Sequence, residues 1–165
     1  MRFAKVRDVK TPVRSTPGSA GIDFFIPNDF PKFYLTPGTD ILIPSGIKME
    51  IPEGYALLGV DKSGIATSYR AKERAGLTTN PPRKPLYSSS LLIGAKLIDQ
   101  DYQGEIHIHI INVGTGTEQL LPGMKIAQFV LIPVNYAGLE EVAEDRLFTE
   151  KTERSSGGFG STGVK

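Results

Sequence analysis

The 165-residue chain has no cysteine and no tryptophan. The first absence excludes a disulfide framework, a thiol nucleophile and any cysteine-ligated zinc or iron–sulfur centre. An excess charge of one sign is also missing. Nineteen Lys and Arg stand against eighteen Asp and Glu, for a net charge of +1. Without the basic footprint of a protein that wraps DNA, no nucleic-acid partner is expected. Long apolar runs are lacking too. No stretch approaches the roughly 20 residues of a membrane span, and the start, Met1-Arg2-Phe3-Ala4-Lys5-Val6-Arg7-Asp8, has no apolar signal region. The expectation is a soluble, cytoplasmic chain with no membrane partner. Its length suits one domain, able to bury about 70% of its unfolded surface without a staple.

What is abundant is glycine and proline, eighteen and twelve residues, about half as much again as the average of roughly 12%. Pro12, Pro17-Gly18, Pro27-Asn28, Pro37-Gly38, Pro44-Ser45-Gly46 and Pro52-Glu53-Gly54 cut the first half into short pieces. Between them lie Ile41–Ile43, Ile47–Ile51 and Tyr55–Val60. Such spacing predicts an antiparallel sandwich or barrel. Glu105–Ile111 alternates with period two, placing Ile106, Ile108 and Ile110 on one face and His107 and His109 on the other. Lys125–Ile132 reads as a further strand after the turn Leu121-Pro122-Gly123. The one helical candidate starts at Ser63, a suitable N-cap, and runs to about Arg74. The fold is therefore predicted as all-β with a minor helix.

Two stretches do not read as core. Residues 70–90 carry Arg70, Lys72, Arg74, Arg83 and Lys84 against Glu73, with three prolines and three serines, and are expected to form an exposed basic loop. Residues 150–165 are polar and glycine-rich, with an isolated Arg154 and Phe159.

Three constellations are candidates for chemistry. Asp99-Gln100-Asp101-Tyr102-Gln103-Gly104 lies between the apolar run Leu91–Leu97 and the strand at Ile106. It reads as a hairpin tip; a turn centred on Gln100 would set Ile98 opposite Tyr102 and Ile93 opposite His107. Aspartates there are turn formers, or else a carboxylate base beside an aromatic platform. In the tail, bare backbone amides can cradle phosphate, arginine can fork onto it and phenylalanine can cover a base; the ordinary reading is a disordered terminus. Asp61-Lys62-Ser63-Gly64, at a strand-to-helix junction, is either an N-cap or an anion site. His107 and His109 share a strand face, but a metal site would need further ligands.

Taken in order, these pieces resemble the trimeric deoxyuridine triphosphatases (dUTPases) over nearly the whole chain. The five motifs are Ser19-Ala20-Gly21-Ile22-Asp23, Lys62-Ser63-Gly64-Ile65-Ala66, the Ile98–Gly104 hairpin, Gly123-Met124-Lys125-Ile126-Ala127-Gln128 and Arg154–Gly163. The resemblance implies a β-clip, a distorted jelly roll, forming a homotrimer with active sites shared between subunits. It implies a domain at 1–149 and a mobile arm at 150–165 that closes the site. The implied reaction is hydrolysis of dUTP to dUMP and pyrophosphate, which keeps uracil out of DNA and supplies dUMP for thymidylate synthesis. By resemblance Asp99 deprotonates the attacking water and Tyr102 packs on the deoxyribose. Ile93, Leu97, Ile98 and His107 surround the base, with Phe159 stacked over it. Lys62, Ser63, Gly64, Gln128, Arg154, Gly160 and Ser161 hold phosphates. Mg²⁺ is carried by the triphosphate, with Asp23 touching it only through water.

This chain departs from the family pattern at three positions. Lys62 stands where arginine is usual and keeps the charge without the bidentate fork. Asp61 replaces a proline, and Lys96 replaces a hairpin glycine. Two alternatives stay open on the sequence: the same chemistry on dCTP or a modified pyrimidine nucleotide, and a nucleotide-sensing binding protein. A sensor has no need of a water-activating Asp99, and the Phe159 tail argues against the related dCTP deaminases.

Overall fold

The computed structural model describes residues 1–66, 90–153 and 155–156. The chain divides into two compact units, Met1–Asn135 and Tyr136–Lys165. Among the described residues of the first unit, eleven short strands and one short helix follow one another: β1 (Arg2–Lys5), β2 (Ile22–Phe25), β3 (Phe33–Leu35), β4 (Asp40–Pro44), β5 (Ile47–Glu50), β6 (Tyr55–Val60), α1 (Ser63–Ala66), β7 (Leu91–Ile93), β8 (Leu97–Ile98), β9 (His107–Asn112), β10 (Glu118–Leu120) and β11 (Lys125–Pro133). In the second unit, the described residues contain one 3-10 turn, Glu144–Arg146.

All strand pairs are antiparallel. They form a four-stranded sheet in the order β2-β11-β6-β8, a three-stranded sheet β4-β9-β7, and two-stranded pairs β1-β5 and β10-β3. The expected all-β fold with a short helix is what the chain adopts. The core is built from the alternation seen in the sequence: Ile106, Ile108 and Ile110 are buried, whereas His107 is exposed and His109 half-buried. β2 is buried on both faces, and Phe24 meets Phe129 with ring centroids 4.8 Å apart. Burying a side chain of this size stabilises by about 1.5–3 kcal/mol. The punctuating glycines turn the chain as expected. Gly46 has φ +73°, a left-handed conformation that costs glycine nothing, and a Cβ there would lie 2.8 Å from Val9 Cγ1.

Of two further expectations, one is described only in its first turn and the other meets a different outcome. Helix α1 is described from its expected start at Ser63 to Ala66, and the rest of the span to Arg74, like positions 70–89 of the basic stretch, lies outside the described residues. Ser90 Oγ donates to Ala66 O at 2.7 Å, so the chain re-enters beside α1. The second concerns the hairpin, whose register is not the one expected. Ile93 faces Ile110 rather than His107, and Ile98 faces Leu57 rather than Tyr102. The chain leaves the three-stranded sheet after Ile93 and pairs with β6 of the other sheet from Leu97. A continuous two-strand hairpin was the wrong picture, because local alternation does not reveal a change of partner sheet.

Candidate active site

Asp23 is the centre of a cationic cluster. β2 brings it into the interior, where the residue is 0% exposed. Its Oδ1 accepts from Gln128 Nε2 at 2.9 Å and lies 3.5 Å from Lys62 Nζ. Its Oδ2 accepts from Ser15 Oγ and lies beside Lys125 Nζ, each at 2.7 Å. Burial alone would raise the Asp23 carboxyl; the bonds from Lys125, Ser15 and Gln128 and the Lys62 charge together outweigh it and hold it at about 2. Lys62, just beyond β6, and Gln128, on β11, two of the residues the resemblance suggests for phosphate, are thereby brought together.

Lys125 and Ser15 join them, and sequence reasoning assigned neither a role. Strict alternation puts Lys125 and Gln128 on opposite faces, because three positions separate them. A bulge at Ile126 reverses the parity: Lys125 pairs with Phe25, and Gln128 with Asp23, two residues apart on β2. Both side chains consequently face Asp23. Gly21 allows the approach, since a Cβ there would come within 3.2 Å of the Gln128 side chain.

Asp23 thus accepts from three donors, Gln128 Nε2, Ser15 Oγ and Lys125 Nζ, with the Lys62 charge 3.5 Å away. Among the described residues no group of three or more His, Asp or Glu could hold a metal. His107 Nδ1 contacts Glu105 O at 2.9 Å, while His109 Nε2 contacts Asp40 at 2.8 Å. The two histidines thus serve different local contacts.

The hairpin forms the second cluster. Tyr102 N–H donates to Asp99 O at 3.2 Å, closing the turn. The Tyr102 hydroxyl donates to Glu105 O at 2.8 Å, and its ring lies over Gly104, where a Cβ would be 2.4 Å from the phenol oxygen. The ring is fixed at its polar end, yet the residue remains 42% exposed, a platform open to a ligand. Asp99 is exposed beside it. Gln100 Oε1 accepts the Gly54 N–H at 2.8 Å, tying the turn to the β5–β6 connection. Ile93 is buried, Leu97 exposed and Ile98 half-buried along the same segment. Arg154, Phe159, Gly160 and Ser161 lie outside the described residues.

Within one chain the two clusters do not meet. β6 runs antiparallel to β8, with Leu57 opposite Ile98, so Asp99 is level with Ala56 while Lys62 lies six residues further along. At about 3.3 Å per residue this is a separation of about 20 Å.

The family model dUTPase matches residues 81–163. A deoxyuridine 5'-triphosphate nucleotidohydrolase of Chlamydia pneumoniae is 41% identical over 153 residues, 93% of this chain and 90% of that protein. One from Rhizobium rhizogenes is 34% identical over 165 residues, 99% of this chain and 92% of that protein. Among solved structures, a mutant dUTPase of Staphylococcus bacteriophage 80alpha with dUpNHpp superposes with a TM-score of 0.73 at 23% identity, covering 99% of this chain and 98% of that one. A mutant dUTPase of phage phi11 of S. aureus, described with a structural Mg(II) ion, gives 0.64 at 23% identity, covering 87% and 96%. At that identity the likeness is one of fold.

Proposed function

This chain belongs to the dUTPase family, and on that premise we propose that it adds water across the α–β phosphate bond of dUTP, releasing dUMP and pyrophosphate. The observation that carries the reading is one fold holding both a cationic cradle and a hairpin with a carboxylate beside a fixed aromatic ring. Lys62, Gln128 and the newly found Lys125 face the triphosphate, with Ser63 and Gly64 beside them at the start of α1. Asp23 holds these groups in place, so their charge is organised before substrate arrives. Mg²⁺ would be held mainly by the triphosphate oxygens and would neutralise charge there, as Mg²⁺ is commonly bound through substrate phosphates rather than by an all-protein cage.

Asp99 takes the proton of the attacking water, a contribution of about 10²–10⁴ for a general base. Tyr102 packs against C2′ of the sugar, and a ring held through Glu105 O cannot retreat to admit a 2′-hydroxyl. Ile93, Leu97, Ile98 and His107 line the base-recognition segment. Arg154, Gly160 and Ser161 clamp the outer phosphates and Phe159 covers the base, roles that rest on the family resemblance. The 150–165 arm closes the site against water in this reading.

The separation of Asp99 from Lys62 supports a homotrimer with shared sites. Both groups are needed near one reacting phosphate, and a separation of about 20 Å along β6 favours their coming from different chains. The deciding experiment measures pyrophosphate release from dUTP, dCTP, dTTP and UTP with Mg²⁺ present. Preference for dUTP is the expected result; faster turnover of dCTP would move the proposal to that base, and no release from any of the four would reject the hydrolase reading.

A further inference from the structure

The three residues Gly94, Ala95 and Lys96 carry the chain from the three-stranded sheet to the four-stranded one, and His109 holds this crossing. The Gly94 N–H donates to His109 O at 2.9 Å. The Ala95 N–H donates to His109 Nδ1 at 3.2 Å. On its far side the imidazole Nε2 lies 2.8 Å from Asp40 Oδ2 on β4. These contacts fix the tautomer. A backbone amide can only donate, so Nδ1 is the bare nitrogen and the ring proton sits on Nε2, directed at the Asp40 carboxylate.

The ring is also seated sterically. A Cβ at Gly94 would lie 2.1 Å from Nδ1 and 2.6 Å from Cε1 of His109, closer than real carbon atoms approach. Gly94 therefore leaves the space the imidazole fills, and ring and bend specify each other. Lys96 O accepts the Gly59 N–H at 2.6 Å, fixing the other end of the crossing on β6. The crossing leads directly into Leu97 and Ile98, and then Asp99.

We propose that His109, oriented by Asp40, is a positioning residue for base recognition: it sets the level at which the Gly94–Lys96 crossing delivers Leu97 and Ile98 to the pyrimidine. This rests on the reading of the hairpin as the base-recognition element. His109 itself touches neither substrate nor the reacting atoms. Its loss displaces the pocket but leaves Asp99 and the cationic cradle intact, so binding and base choice change more than turnover.

The test uses the full chain and three variants. His109→Leu fills a similar volume without an acceptor. Expected results are a KM for dUTP raised about fivefold or more, the value of one lost hydrogen bond, a kcat within about twofold, and weaker discrimination against dCTP. His109→Asn restores an acceptor near the Nδ1 position and is expected to return KM to within about twofold of wild type. Asp40→Ala, which leaves the ring without its orienting partner, is expected to give an intermediate KM. An unchanged KM in His109→Leu, or a fall in kcat as large as the rise in KM, overturns the proposal. A failure of the Leu variant to fold leaves the Asn variant and Asp40→Ala to decide. Imidazole ¹⁵N NMR of the wild-type protein reads the tautomer without substrate: proton on Nε2 supports the proposal, proton on Nδ1 overturns it. That measurement stands even where none of the nucleotides is hydrolysed, so failure of the brace and failure of the enzymatic reading are told apart.

Discussion

Asp61 Oδ1 accepts the Ile93 backbone N–H at 2.7 Å. The residue next to Lys62 thus holds the end of β7, one residue before the chain crosses between sheets. A proline, usual here in the family, could not make this bond. Lys96 Nζ lies 4.0 Å from Asp61 Oδ2, so two of the three positions at which the chain departs from the family pattern are joined through one carboxylate.

Asp61→Ala is expected to raise KM for dUTP about fivefold, because the Ile93 amide loses its acceptor. Asp61→Asn keeps an oxygen in place and is expected to recover most of the loss. Steady-state kinetics of both variants check this; equal KM values in Ala and Asn would assign the effect to charge instead.

The depressed Asp23 carboxyl links stability to acid. A group at about 2 when folded and about 3.9 when unfolded contributes about 2.6 kcal/mol. The sign follows: the contribution is complete above pH 4 or so and disappears as pH falls towards 2. Urea midpoints of wild type and Asp23→Asn are therefore expected to differ by a constant amount at pH 5 to 7 and to converge between pH 4 and 2.

Gly104→Ala places a methyl 2.4 Å from the Tyr102 phenol oxygen and must drive the ring outward. The kcat/KM ratio of UTP to dUTP is expected to rise in this variant, while wild type handles UTP poorly. A ratio unchanged by the substitution would remove Tyr102 from sugar selection.

Asp99→Asn is expected to lower kcat by at least about 100-fold with dUTP affinity within a few-fold, since a base acts on water in the transition state. Equilibrium binding of a non-hydrolysable dUTP analogue supplies the affinity.

The shared sites proposed above make a complementation test available. Asp99→Asn and Lys62→Ala chains, each weak alone, are expected to recover activity when unfolded and refolded together. A site that takes Asp99 from one chain and Lys62 from another is then intact in some mixed assemblies. Tagged subunits confirm mixing, and mixed assemblies without recovery would place both groups in the same subunit's site.

The sequence by itself determined the class of fold and where its turns lie. The Ile106, Ile108 and Ile110 alternation sorts core from surface because burial in a strand follows every second residue, a rule that needs no knowledge of the partner. Gly46 marks a turn because few other residues accept a positive φ. Asp99, Tyr102, Lys62 and Gln128 stood out as residue types in ordered motifs. What only the tertiary structure decided depends on partners distant in the chain. The Ile126 bulge, which brings Lys125 to Asp23, is a count of residues on one strand against another. The crossing at Gly94–Lys96 is a change of sheet, held by His109 from β9 and by Gly59 from β6. The 20 Å or so between Asp99 and Lys62 follows from the register of β8 on β6, a pairing across some forty residues that no local pattern encodes.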